Sequence, residues 1–365
     1  MNTPETPLRV VIAGGGTGGH VVPALAIGLE LREKHGAEVR FVGTARGLET
    51  KLVPAAGFPL ELVRSGQLKN VSLATRARTM MDLPMGVVHC VRLLREFKPQ
   101  VVVGVGGYAS GPGVIAAVLL RVPTLAYEPN AVPGMTNRVV GKRVSAAAVN
   151  FEQTTRYFRN AEVTGVPVRA EIFGLPPRPA GAAPRLLVTA GSQGAKVFNE
   201  TLPAVAAKLL AAVPGLSIVH QAGPRHVEST TAAYLASGVD PERWCVTAFL
   251  DDMPAQYAAA DLVLARSGST VAELAAAGKP SLLVPFAGAA DDHQRRNAEV
   301  LVAAGAAEML LQRELTPASL LDGLRGLLLS PERRAAMSER ARSLARPGAL
   351  ERITTMVLRL AEARV

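Results

Sequence analysis

Cysteine and aromatic side chains are scarce in this chain, and no apolar run is long. Cys90 and Cys245 are the only cysteines in 365 residues. No disulfide framework is possible, neither thiol has a metal-type spacing, and a reducing compartment is expected. Aromatic residues make up 4% of the chain, with Trp244 the single tryptophan, which argues against the stacking platforms of single-strand nucleic-acid binders. No stretch reaches the ~18 apolar residues that span a bilayer. The polar start before Arg9 and the short run Val10–Ala13 lack a signal-peptide core. The chain is therefore expected to be soluble or to lie on a membrane surface. Lys/Arg-rich tails and helix-turn-helix, RRM or KH signatures are missing too, so no nucleic-acid partner is expected.

What the chain does have is a large stock of small and aliphatic residues: 48% are hydrophobic, mostly Ala, Val and Leu. That mix suits helices packed on buried parallel strands. The length exceeds one hydrophobic core, so two α/β domains are expected. The net charge of +10 fits phosphorylated substrates or anionic headgroups, but selects neither.

Apolar runs at Leu8–Ala13, Val39–Val42, Val101–Val105, Thr124–Tyr127 and Ala146–Val149 read as buried strands separated by helices. The segment 174–184, with four prolines and no periodicity, reads as the linker. After it the pattern restarts at Arg185–Ala190 and continues through Ser217–Gln221, Trp244–Ala248, Asp261–Ala265 and Ser281–Pro285. The fold class expected is α/β with two Rossmann-like, doubly wound parallel sheets. Residues 1–168 and 169–346 form the two domains, and 347–365 is a helix packing back on the first.

Glycine-rich turns follow several of these strands: Gly14–His20, Gly104–Gly113, Gly191–Ala195 and Arg266–Thr270. Glycine admits close backbone approach, and the next helix offers its N–H groups and positive dipole end. Gly14, Gly16 and Gly19 satisfy G-x-G-x-x-G, but no carboxylate ends the second strand at Gly43-Thr44-Ala45-Arg46 to hold a dinucleotide ribose. An NADP reading survives only through Arg46, and no ATPase P-loop occurs. The densest constellation is Ser267, Gly268, Ser269 and Thr270 opening a helix that carries Glu273. Its N–H groups and hydroxyls suit a pyrophosphate, and the carboxylate suits a ribose diol. His293, Gln294 and Asn297 open the next helix and suit sugar hydroxyls.

Together, GGTGGH at Gly15–His20, GVGGYASGPG at Gly104–Gly113, NAVPGMTNR at Asn130–Arg138, GSQGA at Gly191–Ala195, FLDDM at Phe249–Met253, RSG at Arg266–Gly268 and DDHQ at Asp291–Gln294 resemble one family. It is glycosyltransferase family 28, and within it the bacterial N-acetylglucosaminyltransferases that make lipid II. The resemblance runs along nearly the whole chain. It implies a GT-B fold with two domains facing a cleft, and inverting transfer of GlcNAc from UDP-GlcNAc to the C4 hydroxyl of MurNAc in lipid I. It further implies that Glu273 binds the ribose, that Ser192, Ser269 and Thr270 lie along the phosphates, and that Leu250 sits near the uracil. Arg169 would help neutralise the leaving UDP. Thr17, Gly18, Gly19 and Asn130 would face the reacting sugar, and His293 and Gln294 would contact GlcNAc. A peripheral place on the cytoplasmic face of the bacterial inner membrane, within a cell-wall synthesis complex, follows from the same resemblance. Glu128-Pro129-Asn130 stands where the family often reads Glu-Gln-Asn, and Gly165-Val166-Pro167 where it often reads Gly-Asn-Pro.

The reaction needs a base for the acceptor hydroxyl and a counter-charge for the leaving diphosphate. Asp251-Asp252 and Asp291-Asp292 lack the D-x-D spacing of metal-dependent transferases. No metal or other cofactor is expected, and helix N-termini with Arg169 are to supply the positive charge. His20 is the first choice of base because its ordinary pKa suits proton removal near neutrality, with Glu128 the alternative. His35, His89, His220 and His226 read as ordinary surface or satisfied histidines. Between Leu68 and Lys98, the apolar Leu73, Met80, Met81, Leu83, Met85, Val87 and Val88 alternate with Lys69, Arg76, Arg78, Arg92 and Arg95. This is expected to be a helix interrupted near Pro84, whose patch from Leu73 to Arg95 rests on anionic lipid. Other readings are a glycolipid synthase, a UDP-GlcNAc 2-epimerase, a non-catalytic nucleotide-sugar-binding partner and, weakest, a nicotinamide dehydrogenase.

Overall fold

The computed structural model describes residues 7–66, 73–176, 178–179 and 181–363, without the side chains of 73–80. The chain divides into two compact units, Met1–Pro167 with Gly348–Val365, and Val168–Pro347.

The first unit holds a seven-stranded parallel sheet. Its elements begin with β1 (Arg9–Ala13), α1 (Gly18–His35), β2 (Glu38–Gly43), α2 (Glu49–Ala55), β3 (Leu60–Leu62) and α3 (Leu73–Phe97). They continue with β4 (Val101–Gly104), α4 (Ser110–Leu119), β5 (Thr124–Glu128), α5 (Met135–Val140), β6 (Ala146–Val149) and β7 (Ala161–Val163). The strand order is β3-β2-β1-β4-β5-β6-β7, which sets β1 beside β4 and β4 beside β5. Alternation along β1 shows why the strand is apolar throughout. Val10 and Ile12 pack with α1, while Val11 and Ala13 pack with α3 and α4 on the other face.

The second unit holds a six-stranded parallel sheet in the order β10-β9-β8-β11-β12-β13. It runs β8 (Arg185–Thr189), α6 (Lys196–Ala212), β9 (Ser217–Gln221), α7 (Val227–Ala236), β10 (Trp244–Thr247), α8 (Met253–Ala259) and β11 (Leu262–Ala265). Then come α9 (Thr270–Ala277), β12 (Ser281–Leu283), α10 (His293–Ala303), β13 (Ala307–Met309), α11 (Pro317–Leu328) and α12 (Pro331–Ser343). The last helix, α13 (Ala349–Glu362), returns to the first unit. Its Ile353, Met356, Val357 and Ala361 join the core of Val10, Ile12 and Ile27, and Arg352 donates to the Thr164 carbonyl at 2.6 Å.

Three sequence expectations change. The chain passes between units at Pro167–Val168 and Pro347–Gly348, not through the proline-rich segment 174–184. That segment belongs to the second unit, where Arg178 pairs with Asp261 at 3.3 Å and donates to the Ala183 carbonyl at 2.6 Å. Pro177 and Ala180 lie outside the described residues. The helix expected to break near Pro84 runs through it as α3. A proline removes one N–H, whereas Cys90, Leu93, Leu94 and Phe97 anchor the rest of α3 on the sheet. The edge strands β3, β7 and β13 have three residues each, too few for a periodic signal.

Candidate active site

In the first unit, the turn after β1 is held from behind. Gly14 donates to the Val42 carbonyl at 3.0 Å, and Gly16 donates to Glu49 Oε2 at 2.7 Å. Thr17 leads into α1 with an extended backbone, an exposed side chain and no capping bond from its hydroxyl. Its carbonyl accepts the N–H groups of His20 and Val21, both at 3.1 Å. The sequence rule sought an acid ending the second strand and found none. The acid arrives six residues later as Glu49, but it is 1% exposed and bonded to the chain's own backbone. A nucleotide ribose cannot reach it. A buried carboxylate under the turn also opposes the phosphate role that the glycine pattern alone suggests.

His20 stands on α1 one turn further. Its Nδ1 donates to the Val105 carbonyl at 2.9 Å. A carbonyl only accepts, so Nδ1 carries the hydrogen and the neutral ring keeps its lone pair on Nε2. The ring packs against the turn after β4, where Gly106 and Gly107 have φ of +89° and +75°. A Cβ at Gly107 would also fall 2.6 Å from the Gly15 carbonyl oxygen, so only glycine lets the two turns touch.

Glu128 ends β5 and is 2% exposed. Oε1 accepts from the Asn130 N–H at 3.0 Å and Asn130 Nδ2 at 2.9 Å. Oε2 accepts from the Gly134 N–H and Asn137 Nδ2, both at 3.0 Å. Burial raises its pKa, and the bonds from Asn137 and Asn130 offset part of that rise. Four donors and near-complete burial make Glu128 the organiser of the Asn130–Gly134 loop.

In the second unit, Glu273 lies in the first turn of α9. Tyr257 donates its hydroxyl to Oε2 at 2.8 Å. Burial raises the Glu273 pKa, opposed by the Tyr257 hydrogen bond and the positive charge of Arg169. Arg169 is exposed at the entry to a short 3₁₀ turn, Ala170–Ile172. Ser269 precedes α9, exposed and making no capping bond, with Thr270 the first helical residue. Arg266 donates to the Val284 carbonyl at 2.8 Å and lies 5.1 and 5.4 Å from the ring centres of Phe198 and Phe286. Burial lowers its pKa to about 10, so it stays charged near neutrality.

The turn after β8 exposes Ser192 and Gln193. Its floor is the buried Gln221, which donates to the Gly191 carbonyl at 2.7 Å and accepts from the Leu250 N–H at 3.1 Å. One amide therefore joins the Ser192 turn to the Leu250 loop. Gln294 accepts from the Phe286 N–H at 2.9 Å, and a Cβ on Gly268 would sit 3.8 Å from its Nε2. His293 opens α10 after two left-handed residues, Asp291 and Asp292, and its Nδ1 donates to the Ala290 carbonyl at 2.7 Å. Asn297, expected to meet sugar hydroxyls, is instead 1% exposed and donates to the Ser267 carbonyl at 3.0 Å. It ties α10 to the Ser267 turn, because the inward face of α10 at that position meets the core.

Glu49, Gln221 and Tyr257 were missed in the sequence. Each is an ordinary polar residue with a key partner 16 to 33 residues away. Among the described residues no three His, Cys, Asp or Glu side chains gather as a metal site requires. Among the same residues no helix is long and apolar enough to cross a membrane.

The comparisons with known proteins cover both units. The glycosyltransferase family 28 N-terminal domain matches residues 10–149, and the family's C-terminal domain matches 185–353. The chain belongs to glycosyltransferase family 28. It is 44% identical, over 98% of its length and 94% of the relative's, to a protein of Anaeromyxobacter dehalogenans. That relative is named UDP-N-acetylglucosamine--N-acetylmuramyl-(pentapeptide) pyrophosphoryl-undecaprenol N-acetylglucosamine transferase. The crystal structure of Acinetobacter baumannii MurG matches with a TM-score of 0.82 and 32% identity, covering 97% of this chain and 100% of that one. A UDP-GlcNAc 2-epimerase from Neisseria meningitidis, solved with UDP-GlcNAc bound, matches with a TM-score of 0.65 and 16% identity over 97% of this chain and 100% of its own. That last likeness is one of fold alone. The two parallel-sheet units are those of a GT-B glycosyltransferase, and this family-28 chain is an enzyme of that class.

Proposed function

We propose that this family-28 enzyme transfers GlcNAc from UDP-GlcNAc to the C4 hydroxyl of MurNAc in lipid I, with inversion at the anomeric carbon, to form lipid II for peptidoglycan. The observation that carries the reading is Glu273, held by Tyr257 beside the exposed start of α9, in a chain 44% identical end to end to a relative named for this reaction.

The second unit takes the donor. Glu273 Oε1 accepts from the ribose diol while Tyr257 holds Oε2. The diphosphate lies along Ser192, Ser269 and Thr270, the uracil near Leu250, and the sugar against His293 and Gln294. Arg169 and the N–H groups of α9 neutralise the charge that grows on the leaving oxygen. The first unit takes the acceptor, with Thr17, Gly18, Gly19 and Asn130 toward the reacting sugar. His20 Nε2 removes the C4 hydroxyl proton as the oxygen bonds to the anomeric carbon and the bond from that carbon to phosphate oxygen breaks. The Val105 carbonyl then holds the imidazolium through Nδ1–H. No metal takes part.

The enzyme works peripherally on the cytoplasmic face of the inner membrane. Support comes from α3, where Met81, Met85 and Val88 are 73%, 46% and 52% exposed beside the exposed Arg92 and Arg95. Leu68 and Lys69, and the side chains of Leu73, Arg76, Arg78 and Met80, lie outside the described residues.

The test is transfer of labelled GlcNAc from UDP-GlcNAc to a short-chain lipid I analogue in EDTA, comparing the native enzyme with Glu273→Ala. Transfer that survives EDTA, and a roughly hundredfold lower kcat/KM in the variant, are expected from the loss of charge-assisted bonds to the diol. UDP binding without transfer by the native enzyme would sink the reading. Donor turnover without acceptor would favour an epimerase.

A further inference from the structure

Glu49 is a buried carboxylate with no place in the mechanism above. It is 1% exposed, and among the described residues no cation pairs with it. Three donors point at it: the Gly16 N–H at 2.7 Å, the Thr44 N–H at 3.0 Å and the Thr44 hydroxyl at 3.1 Å. The protein has cleared space for it. A Cβ on Gly15 or Gly47 would overlap the carboxylate, and one on Gly43 would lie 2.6 Å from Cγ. A charged group kept in a dry pocket of glycines costs stability unless its bonds are well made, and a methylene side chain would fill the pocket without that cost.

What the carboxylate holds is the turn that carries His20. Oε2 fixes Gly16, the residue before Thr17. The Leu48 N–H, beside Glu49 in sequence, donates back to the Gly16 carbonyl at 3.2 Å. The Gly15 carbonyl abuts Gly107, whose other neighbour is the His20 ring. Glu49, the Gly14–Gly19 turn, Gly107 and His20 therefore form one continuous stack.

We propose that Glu49 is a positioning residue for transfer: it fixes the acceptor-side glycine turn, and through that turn the orientation of His20. The inference rests on the reading of His20 as the base. Because the residues placed around UDP belong to the other unit, Glu49 acts on kcat and leaves UDP affinity alone.

The experiment compares the native enzyme, Glu49→Gln, Thr44→Val and His20→Ala in the same GlcNAc-transfer assay, with UDP binding measured separately. Glu49→Gln keeps the shape but sets an amide N–H against either the Gly16 N–H or the Thr44 N–H. Its kcat is expected to fall at least tenfold, with UDP affinity within twofold of native. Thr44→Val removes one of the three donors and keeps the charge, and a two- to fivefold fall in kcat is expected. A folded Glu49→Gln enzyme with native kcat overturns the proposal, as does an equal loss of kcat and UDP affinity. Should Glu49→Gln fail to fold, a native kcat in Thr44→Val overturns it instead. If His20→Ala keeps native kcat, the base assignment fails, which is a separate outcome from a silent Glu49.

Discussion

The glycine turns after β1 and after β8 are built alike, each joining a buried strand to a helix, yet they rest on different floors. Under the first lies the Glu49 carboxylate, which takes the Gly16 N–H for the protein itself. Under the second lies the neutral Gln221 amide, which donates to a carbonyl of the turn, takes no N–H from it and leaves Ser192 and Gln193 exposed. A buried negative charge repels a phosphate at close range, whereas a neutral amide does not. Similar glycine signatures therefore rest on different floors, and in the proposed reaction the first positions a base and a sugar while the second receives a diphosphate.

This division of labour can be broken by substitution. The largest effect is expected for His20→Ala, which should lower kcat by roughly 10²–10⁴, the usual worth of a general base. UDP affinity, measured by calorimetry, should not change, and a parallel loss of UDP binding would mean the first turn also holds the nucleotide. Next is Gln221→Glu, which places a carboxylate under the second turn as Glu49 lies under the first. UDP should then bind about tenfold more weakly, about 1.4 kcal/mol, while an unchanged Kd would remove the electrostatic distinction.

The smallest effect concerns stability against pH. Burial raises the Glu273 pKa above its unfolded value, so the folded state favours the protonated form. The stability this group contributes is full below the ordinary carboxylate range and is lost as pH rises through the folded pKa. Glu273→Gln, neutral at every pH, should melt above the native protein near neutrality while losing donor binding. Thermal melts from about pH 4 to pH 8 should show the gap closing toward acid, across the carboxylate range. A gap that widens toward acid contradicts the sign.

Much of the architecture was legible in the sequence. The strands at Val101 and Arg185 and the glycine turns are contiguous signals, and the ordered motifs carry the family. Glu273, Ser269 and His20 stand out as candidates because each follows a glycine turn that opens a helix, whereas Arg169 enters only through the family resemblance. Asn297 could not be separated from His293 and Gln294, because one helical turn carries all three and only packing decides which faces inward. The linker was misplaced for a similar reason. Prolines mark irregular backbone, but Arg178 and Asp261 decide where that backbone packs.

The sequence by itself determined the alternation of strand and helix, the two units and the family, since periodicity and motif order are properties of neighbouring residues. Tertiary structure alone decided which polar groups meet. Gly16 finds Glu49 across 33 residues, Leu250 finds Gln221 across 29, and Asn297 finds Ser267 across 30. Parallel register sets the ends of distant strands side by side, and there a hydrogen bond depends on distances of tenths of an ångström that no local pattern encodes.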